Sequence, residues 1–466
     1  MFAMNEEDDM NALSQPIRIA NVQAFWGDYS RAPAEMLERE PELDYLTMDY
    51  LAEVSMSILA KQMRRDSRLG YARDFLRVLD SVATAWNTGS KVKVVSNAGG
   101  LTPMACAEAC AAKLKDAGCD GKRIGVVTGD SVLQQLQCES SSSDAFRNLD
   151  TGEALEKHRA DLVTANAYIG AQPIVQALDA GADMVITGRV ADPSMVVGPC
   201  IAKFGWADDE YNRLAGATVA GHLIECGTQV TGGISSHWSE LSELQMIGYP
   251  IVEVSDDGSC VVTKSRGTGG SVDERSVKEQ LLYELGDPGN YLSPDVCVSF
   301  LGVGLESLGE DRIRVAGAVG RAPPTSLKVS GTYHAGYHST GSLVIYGRDA
   351  VAKAKSAAEL VLARLARLGL KPAESRVECL GAGAIAPMDE QRIASQTEVV
   401  LRVSVADNRR EVCEQFASDW ISLVCCGPQG TTGYAGGRPR VHETIAYWPC
   451  LIEQKLVEPS VEILEV

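Results

Sequence analysis

Lys91–Ser96 reads KVKVVS and runs directly into Asn97-Ala98-Gly99-Gly100, followed by a helical stretch from Pro103 to Leu114. A short β-branched run bounded by turn residues reads as a buried strand. Gly and Asn after it permit a tight turn, and an early Pro suits the first turn of a helix. The same pattern recurs through the first half. Arg123–Thr128 (RIGVVT) ends in Gly129-Asp130, and Ala182–Thr187 (ADMVIT) ends in Gly188-Arg189. Asp161–Asn166 is a further strand, and Ile17–Ala24 and Leu43–Met48 precede them all. Leu51–Arg65, Asp74–Trp86 and Pro173–Ala180 place apolar residues at helical spacing. About six strands with helical connections predict a mostly parallel, Rossmann-like α/β sheet covered on both faces.

The second half changes character. Asp209–Cys226 reads as a helix closed by Gly227. Strands follow at Ile251–Val254, Cys260–Lys264, Arg312–Val319, Ser326–Gly331, Gly341–Tyr346 and Val399–Val405, with helices at Ala350–Leu368 and Arg409–Val424. This predicts an α+β half, partly antiparallel and ferredoxin-like in flavour. The expected organisation is a disordered leader at 1–15, a parallel α/β domain at 16–238 and an α+β domain at 239–466, with the boundary within Ser235–Glu243. Ser140–Ser143 is the one low-complexity tract, and there is no internal repeat.

Composition narrows the function classes. Asp and Glu number 62 against 43 Lys and Arg, a formal net charge of −19. Such a surface repels a phosphate backbone, and no basic run with interleaved aromatics offsets it, so nucleic acid is not an expected partner. The 13 cysteines are scattered without a CxxC pair, which fits free thiols in a reducing compartment. The first residues, MFAMNEEDDMNALSQ, lack the apolar core of a signal peptide and the Arg-rich face of a transit peptide. No apolar run is long enough to span a bilayer. A cytoplasmic protein without a membrane partner is expected, and size alone favours a homo-oligomer.

In parallel sheets, ligands sit outside the carboxyl ends of the strands. The polar and Gly-rich segments fall there: Asn97 with Gly99 and Gly100, Asp130, Asn166, and Arg189 with Asp192. Backbone amides at Gly99 and Gly100 can face an anion, or can simply close a βα turn. Arg189 can clamp a substrate carboxylate, or pair with Asp192 at the start of the next helix. His222 and Glu225 lie three apart at a helix end and share a face. Either can serve as a general base, or His222 can be a satisfied buried residue. Gln229 follows in a polar loop. Lys264 with Gly269 and Gly270 reads as an anion cradle or as a turn with exposed charges. Gly427–Arg438 is a Gly-rich loop suited to a lid or a subunit contact. No P-loop, no dinucleotide fingerprint and no Gly-x-Ser-x-Gly elbow is present. Nothing in these residues calls for a metal or a redox cofactor.

The residues also carry a resemblance. Phe25-Trp26-Gly27-Asp28, Asp49-Tyr50-Leu51-Ala52-Glu53, Asn97–Gly100, Gly188–Pro193, Gly221–Gly233, Lys264 with Gly267–Gly270, Gln280–Glu284 and Tyr291–Asp295 occur in this order. Together they resemble the acyclic terpene utilisation family, AtuA, from about Pro16 to Gly437. The resemblance implies catabolism of acyclic terpenes and branched acids. It also implies that a ferredoxin-like C-terminal domain of longer members is missing here, so that a separate small ferredoxin-like partner is expected. It brings no established catalytic residues.

The expected activity is therefore a hydratase-type lyase on a branched carboxylic acid or its CoA thioester. His222, Glu225, Asp130 and Asp192 are its catalytic candidates. Asn97, Gly99, Gly100, Asn166, Arg189, Gln229, Lys264, Gly269 and Gly270 are its binding candidates. The alternatives are a non-catalytic ligand-binding or scaffolding subunit serving a small partner, and a CoA-dependent transferase binding CoA through Lys264–Gly270.

Overall fold

The structure is a computed structural model that describes residues 15–138, 146–433 and 436–466. The leader expected over 1–15, apart from Gln15, and the serine tract Ser140–Ser143 lie outside the described residues.

The chain is a mixed α/β protein that divides into two compact units. One comprises the described residues up to Thr332 together with Tyr447–Val466, and the other is Tyr333–Ala446. The strands in chain order are β1 (Ile17–Asn21), β2 (Tyr45–Met48), β3 (Lys93–Ser96), β4 (Arg123–Thr128), β5 (Leu162–Ala167), β6 (Met184–Thr187), β7 (Pro250–Val254), β8 (Cys260–Lys264), β9 (Tyr291–Leu292), β10 (Cys297–Ser299), β11 (Gly304–Gly309), β12 (Arg312–Ala316), β13 (Val319–Arg321), β14 (Ser326–Tyr346), β15 (Glu374–Leu380), β16 (Glu398–Asp407), β17 (Thr431–Thr432), β18 (Val441–Glu453) and β19 (Ser460–Glu465).

The first unit is organised by a sheet of order β11-β12-β8-β7-β1-β2-β3-β6-β4-β19. Its centre is parallel: β1 with β2, β2 with β3, β3 with β6, and β6 with β4. These are the apolar runs of the first half, and helices cover them. Leu46, Met48, Val94, Ile124 and Ile186 pack in one buried cluster with Phe75, Val82, Trp86, Cys106 and Leu114 from the helices Phe75–Asn87 and Pro103–Asp116. Each such side chain stabilises the fold by about 1.5–3 kcal/mol on burial.

The rest of the sheet departs from a mostly parallel plan. β7, β8, β12 and β11 extend it antiparallel beyond β1, and β19 adds antiparallel to β4 at the other edge. β7 lies beyond residue 238 yet pairs with β1, so the sheet runs through the expected boundary. β5, read as a strand of the parallel sheet, is not in it. β4 and β6 pair directly, Ile124 opposite Met184, which leaves no edge for β5 between them. β5 pairs instead with β14, where the Thr164 and Thr332 hydroxyls are 2.7 Å apart.

In the second unit, β15, β16, β14 and β17 form one sheet, with β18 also pairing to β14. The helices Ala350–Arg367 and Arg410–Cys426 supply its buried face with Val361, Leu365, Phe416 and Trp420. Ser326–Gly331 and Gly341–Tyr346, read as separate strands, are the ends of the continuous β14. Gly341, the first residue of the second of them, is a close approach and not a break: a Cβ on it would sit 2.3 Å from the Trp420 ring. Among the described residues, no helix is long and apolar enough to cross a membrane.

Candidate active site

The carboxyl ends of the parallel strands place polar residues side by side. Asp49 follows β2, Asn97 follows β3, Asp130 follows β4 and Arg189 follows β6. All four are buried. Asn97 Nδ2 donates to Asp49 Oδ1 at 2.7 Å, and Leu51 N donates to the same oxygen at 3.0 Å. Asn97 Oδ1 accepts from Tyr50 N at 2.7 Å. Asn97 therefore holds Asp49 and the turn after β2, and it is fully buried and off both cavities described below.

Asp130 has a similar structural task. Its Oδ2 accepts from Arg189 N and from Asn166 Nδ2, each at 2.8 Å, and its carbonyl accepts from Ala167 N at 2.7 Å. It ties the end of β5 to the turn after β6. Burial pushes its carboxyl up, against the N–H groups that donate to it. Gly188 is required here, since a Cβ would lie 2.5 Å from Asp130 Oδ1. Gly188→Ala is expected to destabilise the protein by about 1–3 kcal/mol through overpacking. A urea melt checks this; an unchanged midpoint would show that the Asp130 clasp yields freely.

Arg189 sits over the Tyr168 ring, its guanidinium carbon 4.1 Å from the ring centre. One terminal nitrogen donates to Leu51 O and the other lies 3.1 Å from Asp192. The internal ion pair with Asp192 thus forms. Burial alone lowers the Arg189 pKa, but Asp192, Tyr168 and Asp49 outweigh it and hold the cation. Asp192 stands just before the helix Ser194–Phe204 without capping it. Burial, only partly countered by Arg189, and the nearby Asp49, Glu225 and Glu53 push its carboxyl well above the usual range.

The His222 side follows from packing of the Tyr211–Glu225 helix. Gly221 lets this helix close on the turn before Ser194, since a Cβ there would lie 2.7 Å from Pro193 Cα. Asn21, at the end of β1, donates from Nδ2 to the Ile224 and Glu225 carbonyls at 2.8 and 2.9 Å, satisfying the open helix end. Gln280 fixes the ring: its Nε2 donates to His222 O at 2.9 Å, and its carbonyl lies 3.0 Å from His222 Nε2. A carbonyl only accepts, so Nε2 carries hydrogen. Nδ1 then faces Glu225 Oε1 at 2.8 Å, and one proton is shared across that contact. Burial lowers the His222 pKa, but Glu225 and the Gln280 carbonyl reverse this and raise it above its ordinary value. His222 is 1% exposed in its side chain and Glu225 11%, so the carboxylate is the member that reaches the cavity.

That cavity has a volume of about 540 Å³. Arg189, Asp192, His222 and Glu225 line it with Glu53, Tyr168, Glu284, Tyr291 and Lys328, against an apolar wall that includes Leu149, Pro294, Leu327 and Leu451. A second chamber of about 370 Å³ adjoins it. The two share Glu53, Arg189, Asp192, Glu225 and Glu284, and Asp49 and Gln229 line the second. Asp295 secures the Tyr291 segment by accepting from Ala171 N at 2.7 Å and from the Ser194 hydroxyl. Glu53, Tyr168, Glu284, Tyr291 and Lys328 escaped the site reading. The signal for three of them was present, because Glu53, Glu284 and Tyr291 lie in the segments that carry the family resemblance.

Burial pushes the Asp49 carboxyl up to about 6, against Arg189 and Asn97. A proton held more tightly by the folded than the unfolded chain stabilises fully below the ordinary carboxylate value of 3.8 and is lost as pH rises through about 6. Asp49→Asn, neutral throughout, is expected to lose less stability than the parent between about pH 4 and pH 7. Urea melts at both pH values decide it, and parallel losses would contradict the shift.

The remaining predicted binding residues are not on either cavity. Gly99 and Gly100 are close approaches, where a Cβ would meet Thr187 O at 2.5 Å and Leu59 Cδ1 at 2.4 Å. Asn166 donates to Asp130. Lys264 Nζ pairs with Asp311 at 2.8 Å and donates to Thr268 O at 2.9 Å. Gly269 and Gly270 pack on the backbone at Glu243 and Thr231. The Lys264–Gly270 loop is thus occupied by its own chain. No group of three or more His, Cys, Asp or Glu among the described residues is placed to hold a metal ion.

Comparison with curated proteins and with solved structures yields no match. Comparison with protein families does: residues 17–463 match the family described as "Acyclic terpene utilisation family protein AtuA". The match takes in the ten-stranded sheet save the last two residues of β19 and every residue of both cavities, and the chain belongs to that family.

Proposed function

We propose that this protein is a catabolic enzyme of acyclic terpenoid or branched-chain acid breakdown, acting as a hydratase-type lyase on a branched acyl substrate. The observation that carries this reading is the His222–Glu225 pair, anchored by Gln280 and opening through Glu225 onto a half-apolar cavity beside Asp192. Paired carboxyls in unlike environments divide the work of acid and base. Glu225, next to a charged or proton-sharing imidazole, takes the proton from the carbon α to the carbonyl. The electrons of that C–H bond form the double bond as the bond to the β-oxygen breaks. Asp192, whose carboxyl burial and the neighbouring carboxylates push well above the usual range, gives its proton to the departing hydroxyl, water leaves, and Arg189 holds the carboxylate that remains. The reverse sequence adds water. The apolar wall of Leu149, Pro294, Leu327 and Leu451 receives the hydrocarbon chain.

The test is incubation of the purified chain with branched α,β-unsaturated and 3-hydroxyacyl thioesters, followed by mass spectrometry. Gain or loss of one water supports the reading. Saturable binding without turnover of any of them would replace it with a ligand-binding subunit.

A further inference from the structure

We infer that the site takes its substrate as a neutral carbonyl compound, a thioester or an amide-like acyl group, and not as a free carboxylate. This rests on the acyl-lyase reading above and names its substrate class. The warrant is the state of the cations. Arg189 is spent on Leu51 O, Asp192 and the Tyr168 face. His222 is held between Glu225 and Gln280. Lys328 lies 4.0 Å from Glu53 and 5.1 Å from the Tyr168 ring centre. No other Lys, Arg or His lines either chamber among the described residues. Residues 1–14, 139–145 and 434–435 contain no Lys, Arg or His to add.

Carboxyl groups outnumber these cations. Glu53, Asp192, Glu225 and Glu284 line the larger chamber, and Asp28 and Asp49 line the smaller. An entering carboxylate would meet like charge with no unpaired cation, which weakens its binding. Hydroxyls are what the wall offers an acceptor. Tyr291, Thr325 and Ser326 line it, and burial raises Tyr291 well above its ordinary value, so its phenol stays protonated and neutral. Neutral donors suit a carbonyl oxygen, which needs no countercharge.

The experiment is calorimetric titration of the full chain with one series of saturated, methyl-branched acyl groups, presented as pantetheine thioester, primary amide, free acid and primary amine. Saturated chains can neither take up nor lose water, so binding is read apart from catalysis and survives failure of the lyase reading. The expected result is thioester and amide binding tighter than acid by about tenfold or more at neutral pH. The doubly substituted Glu53→Gln/Glu284→Gln chain should narrow that gap by strengthening acid binding severalfold more than amide binding. Both residues are exposed, so the fold is retained. Acid binding equal to thioester binding, tightest binding by the amine, or no binding by any member overturns the inference.

Discussion

Glu225→Gln is expected to lower turnover by about 10²- to 10⁴-fold, the range that a positioned general base contributes. Gln has the shape of Glu and can still donate to or accept from the ring, but it cannot take a proton from carbon. The surroundings stay intact: Asn21 grips the Glu225 carbonyl and not its side chain, and Gln280 holds His222 from the opposite edge. The loss should therefore fall on kcat, with KM nearly constant and the thermal midpoint within a few degrees of the parent. His222→Ala is a harsher change, since it also empties buried space beside Tyr291 and Phe300, whose ring centres lie 6.0 and 5.7 Å from the imidazole. A less than about tenfold fall in kcat for Glu225→Gln would remove this residue from the role of base.

The second large effect concerns stability. Arg189→Met is expected to destabilise the fold by about 3–5 kcal/mol, because removing one partner leaves an uncompensated charge in the interior. Here Asp192 loses its cation, Leu51 O loses its donor and Tyr168 loses the group stacked upon it. Arg189→Lys should recover only part of this, since an ammonium lacks the fork that reaches the Leu51 carbonyl and Asp192 together from over the Tyr168 ring. Arg189→Met with Asp192→Leu should be more stable than Arg189→Met alone, because the stranded carboxylate is gone. Denaturant midpoints for the three chains measure this. A cost below about 1 kcal/mol for Arg189→Met would show that Arg189 is not the structural keystone described, and would free it to bind a ligand.

The sequence was most legible where one short segment carries both signal and consequence. KVKVVS ending at Asn97-Ala-Gly-Gly and ADMVIT ending at Gly188-Arg189 are buried parallel strands with polar ends, and β3 and β6 lie side by side in the sheet. His222 and Glu225 were readable as a pair because helical spacing alone brings them together. What failed depends on residues far apart in the chain. Nothing near Lys264 announces Asp311, so an internal ion pair resembled a ligand cradle. Nothing near Asn97 announces Asp49, so a positioning amide resembled a binding group. Glycines were ambiguous for the same reason, since a residue that admits an anion and one that admits a neighbouring backbone look alike until the neighbour is known. The antiparallel strands β7 and β8 were also hidden in their pairing, because a strand's own residues do not state which edge it will join, and β19 was not read as a strand at all.

The central claim is that Glu225, backed by His222, moves the proton at the carbon next to an acyl carbonyl. Solvent exchange tests it most directly. Saturated branched acyl thioesters are incubated with the protein in deuterium oxide, and the α-position is followed by proton NMR. The account predicts deuterium at that carbon with the parent chain, and exchange slowed by about 10²-fold or more with Glu225→Gln. No exchange by the parent with thioesters that calorimetry shows to be bound, or equal exchange by the two chains, would contradict it.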